Sequence, residues 1–569
     1  MRILIAVCFT ISTFSLWATD YYVSPSGNDS NSGSIGSPWK TIQFATDQLV
    51  AGDNLYLRAG TYFEKIDLNV SGASGNRITI SNYQNEIVKI DGTGNTSVVF
   101  LLRILNQNHI TIQGIHFTNN VMLDAQGILV SGNCDGIYLL DNKISEINFS
   151  STPNSPATPS TNAQGIIVYG TNGSNSLSDL KINGNEVFDC MLGYSEALAV
   201  NGNVDGFEVL DNYVHDNTNI GIDIIGHEGE APANDQARNG LIKDNIVHDC
   251  VSSYATSGGI YVDGGKDLII ENNVTYKNGY GIEVGCENSG KTTSNIIIRN
   301  NLIYNNVTAG LSLGGFDYPN SGKVVDCSVT GNTFYQNDSS NSFLGEFYLS
   351  YSENCIITSN IIYLNSNNTF AYTELSQPNI VVDYNNIFLD TGAANFEVSW
   401  NGTFYFGYAN YLNGTGNDAN SIFGDPLFLD ENILNPDLHL QIGSAAIDNG
   451  DPTYVPDATE VDLDGHVRIN NTIMDCGADE FGSSSGGGCP NDYAGINKLT
   501  GTQSVSDDFE TDGIIDSDQI INGNAVVDYD SAVEINLLIG FEVILGVSFN
   551  AFIDGCGNLL DGGKELNHK

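Results

Sequence analysis

The chain has 569 residues, 20 of them basic and 68 acidic, for a net charge of −48. That balance excludes nucleic-acid binding, which depends on neutralising phosphates with lysine and arginine. The length allows two or three units with a large core, and ten thinly scattered cysteines exclude a disulfide-framework protein.

Residues 1–18, MRILIAVCFTISTFSLWA, have one early charge, an apolar stretch and a small final residue. This pattern predicts a secretory signal peptide cleaved after Ala18, so Cys8 leaves with it. The mature protein is expected to be exported, with its remaining cysteines serving as small apolar core residues.

The middle of the chain repeats itself, and repeats decide architecture before any local pattern does. DLKINGNEVFDC, FEVLDNYVHDN, LIKDNIVHDC, LIIENNVTYKN, IIIRNNLIYNN, CSVTGNTFYQN, CIITSNIIYLN and IVVDYNNIFLD follow one another. Each reads as a short alternating strand, a turn asparagine and a second short strand. The equivalent asparagines are Asn185, Asn212, Asn245, Asn273, Asn301, Asn332, Asn360 and Asn386, spaced 26 to 33 residues apart by subtraction. Less regular rungs precede them around Gly114 and Asn142.

A strand that alternates wants one buried face, and a repeat this short has no partner except its neighbours. A coil of about three short strands per turn buries the Ile and Val columns. The recurring asparagine tolerates a left-handed turn and bonds the backbone, so Asn over Asn forms a ladder. Cys327 and Cys355 share a position in consecutive repeats and are expected to stack, as a core column or a disulfide.

A third strand of the form Gly-apolar-x-apolar-x closes each turn: GIIVY at Gly165, ALAVN at Ala197, GIDII at Gly221, GIYVD at Gly259, GIEVG at Gly281 and GLSLG at Gly310. Alternation turns Ile167 and Tyr169, Ala199 and Asn201, Asp223 and Ile225, Tyr261 and Asp263, Glu283, and Ser312 outward. Three carboxylates, Asp223, Asp263 and Glu283, therefore come from three consecutive rungs. His227, Glu228, Lys266, Glu287, Lys291 and Asp317 crowd the turns just after. His215 and His248 recur beside the turn asparagine, away from this face, and read as structural. His227 lies in an insertion, GHEGEAPANDQARNG, that is suited to form one wall of a groove.

The strand, asparagine turn, strand and third-strand order resembles the pectin/pectate lyase superfamily over roughly Tyr21 to Glu480. The resemblance implies an all-β, right-handed parallel β-helix with a small carboxy-terminal β domain. Residues 19–60 resemble its amino-terminal cap, in which a short amphipathic helix, Trp39 to Leu49 here, plugs the stack. Residues 61–400 would be the coil, and the Asp-rich segment 401–481 resembles a closing segment that caps the last rung. Asp462 and Asp464 in its DLDG could hold a cation, though a turn is the commoner explanation. A Gly/Ser linker at 482–490 leads to residues 491–569, which resemble β-stack modules of exported bacterial proteins with anchoring or sorting roles. The apolar run Ile535 to Ile553 is interrupted by Glu542 and glycines, and reads as β-structure rather than a membrane span.

In this superfamily the substrate groove commonly follows the third sheet, and the chemistry varies among lyases, hydrolases, esterases, epimerases and adhesins. Stacked carboxylates cannot all stay ionised: one is protonated, a cation bridges them, or solvent screens them. The leading expectation is a Ca²⁺-dependent polysaccharide lyase. Asp223, Asp263, Glu283 and Glu287 would bind the ion, with Lys266 or Lys291 as base and His227 assisting. Tyr169, Asn201, Tyr261, Glu228 and Asp317 would contact the sugar, with Phe316 and Tyr318 nearby. The alternatives are a glycoside hydrolase using two of the same carboxylates and a non-catalytic glycan-binding protein. The expected partner is a polysaccharide, met by a monomer without nucleic acid or a transmembrane segment.

Overall fold

The computed structural model describes residues 18–482, apart from 316, 318, 374–376 and 471. Beyond these it describes the backbone of nine short strands between Ile496 and Phe552. The expected signal peptide, the linker beyond Gly482, Phe316 and Tyr318 lie outside the described residues.

The repeats form a parallel coil. First strands such as Asp205–Leu210 pair only with first strands of neighbouring turns, while second strands such as Tyr213–His215 and third strands such as Thr218–Ile225 stack in the same way. The in-register column Ile182, Val209, Ile242, Ile270, Ile298, Val329, Ile357 and Val382 runs through the interior. Every member is at least 98 % buried. Each such side chain contributes roughly 1.5–3 kcal/mol relative to exposure, and the column exists because the strand alternation repeats without slipping.

The asparagine ladder is continuous. Asn245 Nδ2 donates to Asn273 Oδ1 at 2.9 Å and to the Val209 carbonyl at 2.9 Å, and the pattern repeats from Asn142 through Asn360. Its last rung differs from the sequence expectation. Asn360 donates to Asn385 at 3.1 Å, and Asn386 begins the following strand instead. Two adjacent asparagines fit the motif, and the final repeat is one residue shorter than the spacing suggested.

His215 and His248 form part of a ring stack with Phe188, Tyr276 and Tyr304, at centroid distances from 4.5 to 5.4 Å. Their expected structural role follows from that packing. Cys327 and Cys355 are buried free thiols, as are the other five cysteines among the described residues; the stack is a core column.

Both ends of the coil are sealed. The helix Ile42–Thr46 turns Ile42 and Ala45 into the first rungs beside the buried Trp39. At the other end the hairpin Glu397–Trp400 with Thr403–Phe406, followed by the helix Tyr408–Thr415, brings Phe396, Trp400, Tyr408 and Tyr411 together as an aromatic plug. Past that helix the Asp-rich segment leaves the end of the coil. It runs back along the side of the coil, where Arg299 meets Glu271, Asp457 and Glu460 at 2.7–3.0 Å. There Arg468 meets Asn300 and Glu480. Its charges need partners, and Arg299 and Asn300, buried beneath it on a turn beside the ladder, supply them. Asp462 accepts from the Asp464 and His466 amides, which makes the DLDG stretch a turn.

The nine carboxy-terminal strands pair in parallel as three three-stranded sheets, with Ile496 opposite Ile514 and Ile514 opposite Glu534. Among the described residues no helix is long and apolar enough to cross a membrane.

Candidate functional site

The third strands fix which side chains share the outer face. Register aligns Ile167, Ala199, Asp223, Tyr261, Glu283 and Ser312 in one column, with Tyr169 and Asn201 in the next. Asp263 lies opposite Gly285, two residue pairs along from the Tyr261–Glu283 pair and so on the same face. Glycine has a specific use there, because a Cβ on Gly285 would come within 2.9 Å of the Tyr261 hydroxyl. The small residue makes room for the tyrosine among the acids.

Asp223, Tyr261 and Asp263 are buried, Glu283 is half-buried and Glu287 is exposed at the rim. The Glu287 amide donates to Asp263 Oδ1 at 2.8 Å, tying the turn after the strand to the face. Asp223 Oδ1 is buried without a hydrogen-bond partner, and so is Asn201 Oδ1. Leaving such acceptors unpaired costs roughly 1–3 kcal/mol apiece.

A fifth carboxyl, missed in the sequence, completes the cluster. Glu196 sits at a register shift in the long strand Met191–Gly202, where period-two alternation fails. No pattern rule places it on this face. Burial, then Glu287 and Glu228, push its pKa up to about 8. Burial followed by the charge of Glu196 and the neighbouring acids raises Asp223 well above the carboxylate range. Burial and then Glu287 do the same for Asp263 and Glu283. Burial and then Glu228 raise Glu287. The acids interact through one another's charges, and burial with that repulsion favours their protonated forms.

The structure brings the predicted rim residues together unevenly. The loop from His227 to Asp235 folds over the turn after Glu283: Asn288 Nδ2 donates to Glu228, and His227 Nε2 lies 3.4 Å from the Thr292 carbonyl. Burial lowers the His227 pKa, and Lys291 adds to the effect. Lys291 is thus near the histidine, exposed at the rim. Lys266 opens a first strand of the other sheet, Lys266–Glu271, and its ammonium is 4.0 Å from Asp267. Among the described residues neither lysine lies within ion-pair distance of a groove carboxylate. Tyr169 is half-buried, bonded by Gln164 at 3.2 Å. Asp317 is exposed and accepts from Asn320 at 3.2 Å within its own turn.

Calcium needs six to eight oxygens around one point at 2.3–2.6 Å. The groove supplies hard oxygen donors, two of them unpaired, but among the described residues no three of its carboxyls converge on a shared point. The convergent trio among the described residues is His439, Asp464 and Asp479, whose ligand atoms lie within 4.8 Å of one another and could hold a metal ion. It sits on the lateral segment. There His439 is already held by Asp437 and, at 3.1 Å, by Asp464, which raise its pKa to about 10. The groove as built therefore does not fit a calcium cage.

The coil, with its acid-lined third face, is a right-handed parallel β-helix. Residues 21–360 match the family described as Pel9A-like, right handed beta helix region, and the chain belongs to that family. It is 36% identical to the uncharacterized protein YwoF of Bacillus subtilis (strain 168) over 428 residues, covering 72% of this chain and 89% of the relative. A stretch of 77 residues, 13% of this chain and 19% of the relative, is 43% identical to pectate lyase PEL9 of Emericella nidulans. The crystal structure of pectate lyase Pel9A aligns over 82% of this chain and 96% of its own, at 15% identity and a TM-score of 0.43.

Proposed function

We propose that this chain is an extracellular enzyme that cleaves a polysaccharide lying along the third-strand face, using paired carboxyl groups as acid and base. The observation that carries this reading is the buried Asp223, with one oxygen unpaired, among acids whose pKa values burial and mutual repulsion raise, and with no lysine or arginine among the described residues paired to them. A carboxyl held protonated can donate to a leaving glycosidic oxygen, while a second, ionised one activates water or attacks the sugar. Asp223 and Glu283 share a column with Tyr261 between them. Two rungs of about 4.8 Å each place their backbones at a separation closer to the roughly 6.5–9.5 Å of inverting hydrolases than to the roughly 5–5.5 Å of retaining ones. Tyr261 hydrogen-bonds Glu287 and has room over Gly285 to orient the sugar.

A second reading, β-elimination from a uronate polymer, is favoured by membership of the Pel9A-like family. In it Lys291 or Lys266 would act as base, which requires the lysine to swing in from where it now lies. Calcium, where bound, would offset the charge of the acids in that reading. Incubating the protein with a polysaccharide panel separates the two. Hydrolysis gives reducing ends without ultraviolet absorbance and is indifferent to EDTA. Elimination gives an absorbing unsaturated product that EDTA suppresses. No new ends from any polymer, together with retained binding, would contradict both.

A further inference from the structure

The outward column does not stop at the acids. From Glu283 it passes through Ser312 to Tyr348, Tyr372 and Ser399 on successive rungs. The terminal hairpin then folds Phe404 back opposite Ser399. The Tyr348 and Tyr372 rings lie 6.3 Å apart, inclined by 34°, and the Tyr372 and Phe404 rings 6.5 Å apart. Their strand neighbours Phe347, Leu349, Ala371 and Thr373 all point inward and are buried, so alternation sends the two tyrosines out. Phe404 is 64% exposed.

The opposite flank of the acids has the reverse character. Gln126 Oε1 and Asn201 Oδ1 are buried acceptors that find no donor among the described residues. One flank thus offers ring faces and the other offers acceptors awaiting hydroxyl groups, with the acids between. A sugar has both complements, an apolar C–H face and a rim of donors.

We propose that Tyr348, Tyr372 and Phe404 form a sugar-stacking platform that extends the acid-lined groove for an extended glycan running along the coil axis. The inference rests on reading the groove as a polysaccharide site. The rung spacing of about 4.8 Å is close to the length of one pyranose in an extended chain, so successive sugars meet successive rungs. A substrate long enough to reach from Asp223 to Phe404 is bound at several rings and cut at the acids.

Affinity electrophoresis through gels cast with polygalacturonate, alginate, xylan or chitosan tests this, with kinetics on whichever polymer is cleaved. At least one polymer should retard the parent protein. Tyr372→Ala and Phe404→Ala should each weaken that retardation about tenfold and raise KM while sparing kcat. Tyr372→Phe should restore it, and Asp223→Asn should retain it while losing cleavage. Retardation unchanged in both alanine variants would overturn the platform and leave the groove reading standing; so would a parent protein retarded by none of the four. Cleavage unchanged in Asp223→Asn would overturn the groove reading by itself.

Discussion

The asparagine ladder and the acidic face are both columns of one residue chemistry stacked rung over rung, yet they are built on opposite terms. An asparagine carries a donor and an acceptor, so each satisfies the next: Asn212 Nδ2 gives to Asn245 at 2.9 Å, and Asn245 gives to Asn273 at 2.9 Å. A carboxylate has only acceptors, so stacking cannot satisfy it. Asp223 keeps an unpaired buried oxygen, and its neighbours raise one another's pKa. A stack that completes itself holds the coil together. One that cannot persists because something outside the protein completes it.

The sharpest break between the two columns should come from activity. Glu283→Gln is expected to lower cleavage by roughly 10²–10⁴-fold while the protein stays folded, read as initial rate beside a circular-dichroism melt. The ladder should answer in the opposite currency. Asn245→Ala strands the two Asn212 donors it now accepts at 2.9 Å each and should cost about 3–5 kcal/mol of stability, visible as a lower denaturation midpoint.

pH separates the columns more gently. Glu196 rises from 4.5 to about 8 on folding, so the native state holds a proton that the unfolded chain has lost between those values. Stability should therefore fall as pH climbs from about 4.5 to 8, and Glu196→Gln should flatten that slope; an equal slope in the variant would remove Glu196 from the account. The smallest effect belongs to the ring stack. His248→Phe keeps the stacking with His215 and Tyr276 and gives up bonds to Tyr213 and Asp249. It should cost about 1 kcal/mol and leave cleavage untouched.

The coil was legible because its rule is repetition: the period-two pattern and the turn asparagines occur often enough to correct one another. The single slip, Asn386 for Asn385, fell where two asparagines adjoin and a rung shortens. On the outer face, Asp223, Tyr261, Asp263 and Glu283 were readable from alternation alone. Glu196 was not, because it stands at a register shift, where alternation carries no information. The lysines were illegible for another reason. Lys266 is three residues from Asp263 in sequence, but the chain turns between them onto a different sheet. The aromatic platform was hidden because its rungs are less regular, and Phe404 reaches the column only through an antiparallel hairpin.

The most direct test of the central claim, that the acids are there for chemistry and not for the fold, is Asp223→Asn read for cleavage and for melting temperature at pH 8. The account predicts that cleavage is lost while the melting temperature is held or rises, since the amide fills the same space and cannot ionise among the neighbouring acids. Full cleavage, or a collapse in melting temperature like that of a ladder variant, would contradict it and make Asp223 one more structural residue of the coil.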